Sequence, residues 1–223
     1  LSFESIWYPS VARAYEQTEA GVAGIRVISL ASGSSGNALF IDAGHTRLLV
    51  DAGISARRIG QALAAHGVAL GSIDGVLITH EHSDHVAGIE TLGRRHGLSF
   101  YFTAGTAQAL PVRRQVAHQV IPRAGSFSIG RATVTSIPVS HDAKECCGYV
   151  VEANGTTVAV FTDLGCAQEH LREPLHRADL IVLEANHDLG RLWEGHYPWH
   201  LKNRVASPTG HLCNDDAGAL LAE

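Results

Sequence analysis

An α/β (α+β) sandwich, two packed sheets covered on the outside by helices, is the fold class this sequence predicts. Three observations predict it. Short apolar runs of strand length alternate with segments of helical period, the theme returns in a second half richer in β signals, and turn-forming residues separate the runs. With 223 residues, 45% of them hydrophobic and 17% charged, the chain has globular composition and enough length to bury one substantial core.

From the N-terminus, weak helical character around Val11–Glu19 precedes a buried strand at Ile25–Ala31, which runs into the small-residue turn Ser32-Gly33-Ser34-Ser35-Gly36-Asn37. Ala38–Asp42 and Arg47–Asp51 flank Ala43-Gly44-His45-Thr46 as a hairpin. Behind a Ser55 cap, Ile59 and Leu63 fall at helical spacing over Ser55–His66. Val76–Thr79 is the next strand, Val86–His96 a helix, Leu98–Phe102 a strand and Gly105–Gln115 a helix disturbed by Pro111. In the second half Phe127–Ile129, Thr133–Pro138, Tyr149–Ala153 and Thr157–Thr162 are β-rich, the last two joined by the hairpin pair Asn154-Gly155. A helix over Ala167–His176 and a strand at Leu180–Glu184 follow, and Pro198–Ala206 and Asn214–Ala222 close as helices.

Directly after the apolar run Gly75-Val76-Leu77-Ile78 stands Thr79-His80-Glu81-His82-Ser83-Asp84-His85. His80 and His82 are two apart, so both rings can point the same way on a tight loop, while Asp84 and His85 fall on the next bend and can face a second ion. Three more donors end three more elements. His141 follows the strand ending at Val139, Asp163 follows the strand ending at Thr162, and His211 sits in Gly210-His211-Leu212. If all strand ends face one edge, His80, His82 and His141 hold one ion, Asp84, His85 and His211 a second, and Asp163 bridges. Mixed imidazole and carboxylate sets suit Zn²⁺, with Mn²⁺ or Fe²⁺ favoured when oxygen donors count more.

The formal charge of −5 argues against general electrostatic capture of nucleic acid, although Arg57-Arg58, Arg94-Arg95 and Arg113-Arg114 can form local basic patches. Cys146, Cys147, Cys166 and Cys213 do not have the even spread of a secreted disulfide framework, which fits a reduced cytoplasm. No apolar run approaches a membrane span, and Glu4, Arg13, Glu16 and Glu19 stand where a signal peptide needs an apolar core. The chain lacks Met even at position 1, so its start is expected to be processed or incomplete.

His80 to His85 matches the His-x-His-x-Asp-His signature of the metallo-β-lactamase superfamily, and from about Ile25 to the C-terminus the chain resembles that family. The segments Ser32–Ala38, Leu48–Ser55, Phe161–Gly165, Glu184–Asp188, Tyr197-Pro198 with Leu201-Lys202, and Gly210–Leu212 are similar to its YycJ/WalJ/VicX branch. The resemblance implies an αββα sandwich with a dinuclear metal site at the sheet edge, and for this branch a DNA exonuclease acting from the 5′ end. It also implies that 1–24 is an extension before a domain at 25–223, and that a further C-terminal element is missing.

Two ions about 3.5–4 Å apart can hold a bridging hydroxide and stabilise both attacking and leaving oxygens at phosphorus, with Asp84 as a catalytic ligand. DNA, with RNA as a further candidate, is the expected substrate, with no membrane partner; a thioester or lactone hydrolase of the same fold is the alternative. His187 is the candidate for assisting the leaving oxygen, beside a purely structural role. By resemblance Asp51 braces the His80–His85 loop through hydrogen bonds. Ser34, Ser35 and Asn37 offer a phosphate cradle or a plain turn, and Lys202 a phosphate contact or an exposed helix residue. Cys166 and Cys213 lie near proposed ligands, but the ligand set is complete without them.

Overall fold

Alternation of side chains decides how the strands stack. In β2 (Ala38–Asp42) Leu39 and Ile41 face one core while Phe40 faces another; in β3 (Arg47–Val50) Leu48 and Val50 oppose Leu49 in the same way. Strands apolar on both faces need cover on both faces. The structure, a computed structural model, describes residues 24–111 and 115–222. The helix expected around Val11–Glu19 and the Arg113-Arg114 pair lie outside them.

The first sheet has six strands in sequence order: β1 (Arg26–Ala31), β2, β3, β4 (Gly75–Leu77), β5 (Phe100–Phe102) and β6 (His118–Val120). The second has five, in the order β11 (Leu180–Leu183), β10 (Thr156–Phe161), β9 (Cys147–Ala153), β8 (Ala132–Pro138) and β7 (Gly125–Ile129). Between the sheets lie Leu39, Ile41, Leu48 and Leu77 from one side and Val134, Tyr149, Val151 and Val158 from the other. On the outer face of the first sheet, α1 (Ala56–Ala65) and α3 (Ile89–His96) bring Ile59, Leu63, Ile89 and Leu92 against Phe40, Leu49 and Phe100. On the outer face of the second, α5 (Arg172–His176) and α8 (Asn214–Leu221) cover Ala159, Phe161 and Leu183 with Leu175, Ala217 and Leu220. The layering is αββα.

Four elements differ from expectation. The helix expected over Val86–His96 is two: α2 (Ser83–Val86), on the histidine motif itself, and α3. They part at Gly88, whose N–H donates to the Ala52 carbonyl at 2.7 Å, and whose missing side chain leaves room for the Ala52 and Ile54 carbonyls. α4 (Ala104–Ala109) stops at Leu110 with ψ 100, because a residue before proline is pushed out of the helical region. β6 is exposed throughout and gives no apolar signal. α6 (Leu189–Glu194), capped by Asp188, was not legible as a helix and precedes α7 (Trp199–Val205).

Candidate metal centre

Strand direction brings the donors to one edge. β3 and β4 are parallel, so Asp51 and the Thr79–His85 segment leave the first sheet on the same side. β8 and β10 both run antiparallel to β9, and β11 runs parallel to β10, so the segments holding His141, Asp163 and Glu184 leave the second sheet together. The buried Tyr149 hydroxyl donates to the Ile78 carbonyl at 2.6 Å, and the Cys147 N–H to the Thr79 carbonyl at 3.2 Å, which fastens the two edges beside the motif.

Three donor groups result, each with ligand atoms within 4.8 Å of one another: His80 with His82 and His141, His80 with His85 and Asp163, and His141 with Asp163 and His211. Asp163 enters two of them. Its Oδ2 lies 3.0 Å from His85 Nε2 and its Oδ1 3.4 Å from His211 Nδ1. Asp84 enters none; its half-buried carboxylate stands 3.7 Å from His85 Nε2.

Four of the five imidazoles are turned by a partner on the outer side. Carbonyl and carboxylate oxygens only accept, so Nδ1 donates from His141 to the Gly210 carbonyl at 2.9 Å, from His85 to Asp51 Oδ2 at 2.7 Å and from His211 to Glu184 Oε1 at 2.7 Å. His80 Nδ1 meets Thr79 Oγ1 at 2.9 Å, whose own proton goes to Asp51. That leaves Nε2 of His80 and His141 unprotonated, with His80 Nε2 and His82 Nδ1 only 3.1 Å apart. Fixed tautomers with lone pairs turned to a common point are what a divalent cation requires. Charge agrees with this. Asp51 and Asp163 are largely buried, and buried carboxylates need compensation. Here His85 supplies it: burial opposes its charge, but Asp51 and then Asp163 outweigh burial and hold its pKa well above the usual imidazole range. A divalent cation would supply the same charge. Burial, followed by the neighbouring imidazoles, holds His80 below that range, and burial does the same for His141, so both are neutral donors at neutral pH.

The backbone is bent to this end. Asp51 and Asp163 have φ of 64° and 54°, left-handed values that non-glycine residues rarely adopt. Asp51 accepts from the Thr79 N–H at 2.9 Å and the Thr79 hydroxyl as well as from His85, so it braces the motif from both ends. A side chain on Gly53 would run into the Asp84 carbonyl, so the loop after β3 packs directly on the motif backbone.

Several expected contacts are placed differently. Asn37 is not a free substrate ligand: its N–H donates to the Asp84 carbonyl at 2.8 Å, its amide nitrogen lies 3.1 Å from His85 Nε2, and its Oδ1 accepts from the Gly33 N–H. With the Gly36 N–H on the Gly33 carbonyl, three N–H groups of the supposed cradle are already taken, and Ser34 and Ser35 stand exposed on a turn. Lys202 is neither exposed nor at the site; it is 8% exposed and its Nζ donates to the Trp193 carbonyl at 2.6 Å. Cys213 caps α8 through Sγ, and neither it nor Cys166 joins a donor group. Burial, and then the neighbouring His211, lowers the pKa of His187, and neither of its shielded ring nitrogens has a hydrogen-bond partner among the described residues.

Two partners were missed. Glu184 holds His211 through Oε1 and accepts the Leu164 and Leu212 N–H groups through Oε2. The strand-end rule that singles out Asp163 applies to Glu184 as well. Asp142 lies 3.3 Å from His141 Nε2 and 3.7 Å from His82 Nε2, and accepts from Arg204 Nε at 2.8 Å; nothing in its sequence position announces this.

A family model described as the beta-lactamase superfamily domain matches residues 46–220. The chain belongs to the metallo-β-lactamase superfamily. Within that superfamily it groups with two curated bacterial relatives. It is 34% identical to exodeoxyribonuclease YycJ of Bacillus anthracis over 206 residues, 90% of this chain and 77% of the relative. It is 35% identical to exodeoxyribonuclease WalJ of Streptococcus pneumoniae over 199 residues, 86% of this chain and 74% of the relative. The metallo-β-lactamase fold protein YhfI of Bacillus subtilis superposes with a TM-score of 0.67 at 19% identity, covering 88% of this chain and 80% of YhfI. Membership of this superfamily and branch makes the chain a metal-dependent hydrolase.

Proposed function

We propose that this metal-dependent nuclease degrades DNA from the 5′ end, with two divalent ions, Zn²⁺ or Mn²⁺, at the strand-end cluster. His80, His82 and His141 would hold one ion and Asp84, His85 and His211 the other, with Asp163 available to both. The observation that carries this reading is Asp163, whose two carboxylate oxygens face imidazoles of different donor groups. Likeness over most of the chain to two proteins named exodeoxyribonucleases supports DNA as the substrate.

A divalent pair supplies a nucleophilic hydroxide at neutral pH and polarises a phosphoryl oxygen. The chain's own residues prepare that chemistry. Asp51 and Glu184 fix the orientation of His85 and His211, so no reorganisation is needed when charge develops. Asp84 must rotate inward to ligate, and the Asn37 amide, 3.5 Å from its Oδ2, limits where it can go. His187 is the positioned group with free capacity. Burial and His211 keep it neutral, so it can accept a hydrogen bond from substrate or, once protonated, give a proton to the departing 3′ oxygen. Among the described residues no helix is long and apolar enough to cross a membrane. We place the protein in the cytoplasm, where its four free thiols are stable.

The test offers the purified protein 5′-phosphorylated single- and double-stranded DNA, RNA, a thioester and a lactone with Zn²⁺ or Mn²⁺, and measures bound metal. Mononucleotide release from DNA that is lost in Asp84→Ala and His211→Ala is expected. Thioester turnover with inert DNA would sink the proposal.

A further inference from the structure

Outside the metal centre, the described residues expose five large apolar side chains, and four of them, Leu189, Trp193, Tyr197 and Trp199, fall within eleven positions. Trp199 is 70% exposed. Its ring centroid lies 5.3 Å from that of Trp193, with the planes 42° apart. The backbone beneath them is fixed, since Lys202 of α7 donates to the carbonyl of Trp193 in α6. Aromatic side chains on a rigid support that remain in water are costly to leave uncovered and cheap to use for binding.

Charge and position indicate what covers them. Residues 189–205 expose Arg191 and Arg204 against one acid, Glu194, while Lys202 is buried, in a chain of formal charge −5. The exposed segment is therefore less acidic than the molecule around it, and its guanidinium groups suit a polyanion. It also runs between His187 and His211. At its far end Arg204, 54% exposed, is held by Asp142, which in turn lies 3.3 Å from His141 Nε2. A strand lying on the aromatic rings thus meets a fixed guanidinium next to the donor cluster.

We propose that Trp193, Tyr197 and Trp199 form a stacking platform for the unpaired bases of a single strand, and that Arg204 takes a backbone phosphate between this platform and the metal centre. The proposal rests on the nucleic-acid reading of that centre. Every base has a π-face, so such a platform is tolerant of sequence, but pairing hides those faces, so it selects frayed or single-stranded ends. Arg204 contributes a phosphate contact that duplex and single strand share.

The experiment measures affinity of the metal-loaded protein for a phosphorothioate-protected oligothymidylate of about 12 nucleotides, a length within the usual single-strand site size. Tryptophan fluorescence quenching is the readout. Trp199→Ala weakens binding about tenfold or more, Trp199→Phe restores most of it, and Trp199→Leu does not, because stacking requires a ring. An abasic strand of equal length binds as weakly to the parent protein as the oligothymidylate binds to Trp199→Ala, and Trp199→Ala loses nothing further on it. Val120→Ala, at an exposed apolar position in β6, leaves affinity unchanged. Equal affinity of the parent and Trp199→Ala for the oligothymidylate would overturn the platform, as would a dimer that Trp199→Ala dissociates, which would assign the patch to a second copy of the chain. Binding is read without turnover, so a protein that shows this pattern yet digests no DNA refutes the nuclease reading and leaves the platform standing.

Discussion

At the scale of single residues the centre depends on acceptors that never face the shared space. His211 is oriented by Glu184, whose second oxygen is occupied by two N–H donors. Glu184→Gln keeps the shape, but turns an amide NH₂ toward either the backbone N–H groups or the His211 N–H. Loss of such an orienting partner typically weakens metal binding about 10–100-fold. Metal content after dialysis against a weak chelator should therefore be lower in Glu184→Gln than in the parent, with unchanged circular dichroism; parental metal content would refute the role. His80, His82, His85, His141 and Asp163 stand out because each follows an apolar run, where a buried strand must end, whereas His211 sits in the turn Gly210-His211-Leu212 with no strand before it. Glu184 obeys the same rule, but its task appears only when residue 211 folds back on it. Lys202 was illegible for another reason: its partner is a backbone carbonyl, which no side-chain pattern reveals.

At the scale of elements the two sheets must be kept in register, because each supplies part of the donor set. Tyr149 of β9, fully buried, reaches across to the Ile78 carbonyl just before the motif. Tyr149→Phe leaves that carbonyl without its donor and should cost about 1–3 kcal/mol in chemical denaturation. Because the loosened carbonyl lies two residues from His80, a loss in metal affinity should accompany it; Tyr149→Phe with parental stability would show the bond to be dispensable. Strands with clear apolar runs, β2, β3 and β8 to β10, were readable to within a residue or two. β6 was not, since an exposed edge strand held by β5 alone has no apolar face. The break at Gly88 was missed because glycine is tolerated in helices, and only the nearby Ala52 and Ile54 carbonyls require it.

At the scale of the molecule, two packed sheets under helices followed from two β-rich halves with interleaved helices and the αββα order from the family resemblance, whereas the meeting of the strand ends at one edge had to be assumed until direction and pairing were known. Metal joined to donors from both sheets links the halves of the fold. A ligand at about 1,000 times its Kd stabilises by about 4 kcal/mol, which is on the order of 10 °C for a chain of this size. Calorimetry with and without a strong chelator should show a shift of that order, and an unchanged melting temperature would mean that no such link exists.

The same scale shows what the left-handed aspartates imply for the protein's future. Of three non-glycine residues with positive φ among the described residues, Asn154 sits in a hairpin turn that welcomes it, but Asp51 and Asp163 hold their conformation at a cost of about 1–2 kcal/mol each. Glycine would relieve that cost, but at 51 it would also strand the Thr79 N–H and His85, at about 1–3 kcal/mol for each buried donor left alone. Random libraries sorted for thermostability alone, with metal withheld, would thus lose Asp163 before Asp51, and improvement would erase the shared ligand while leaving the brace in place.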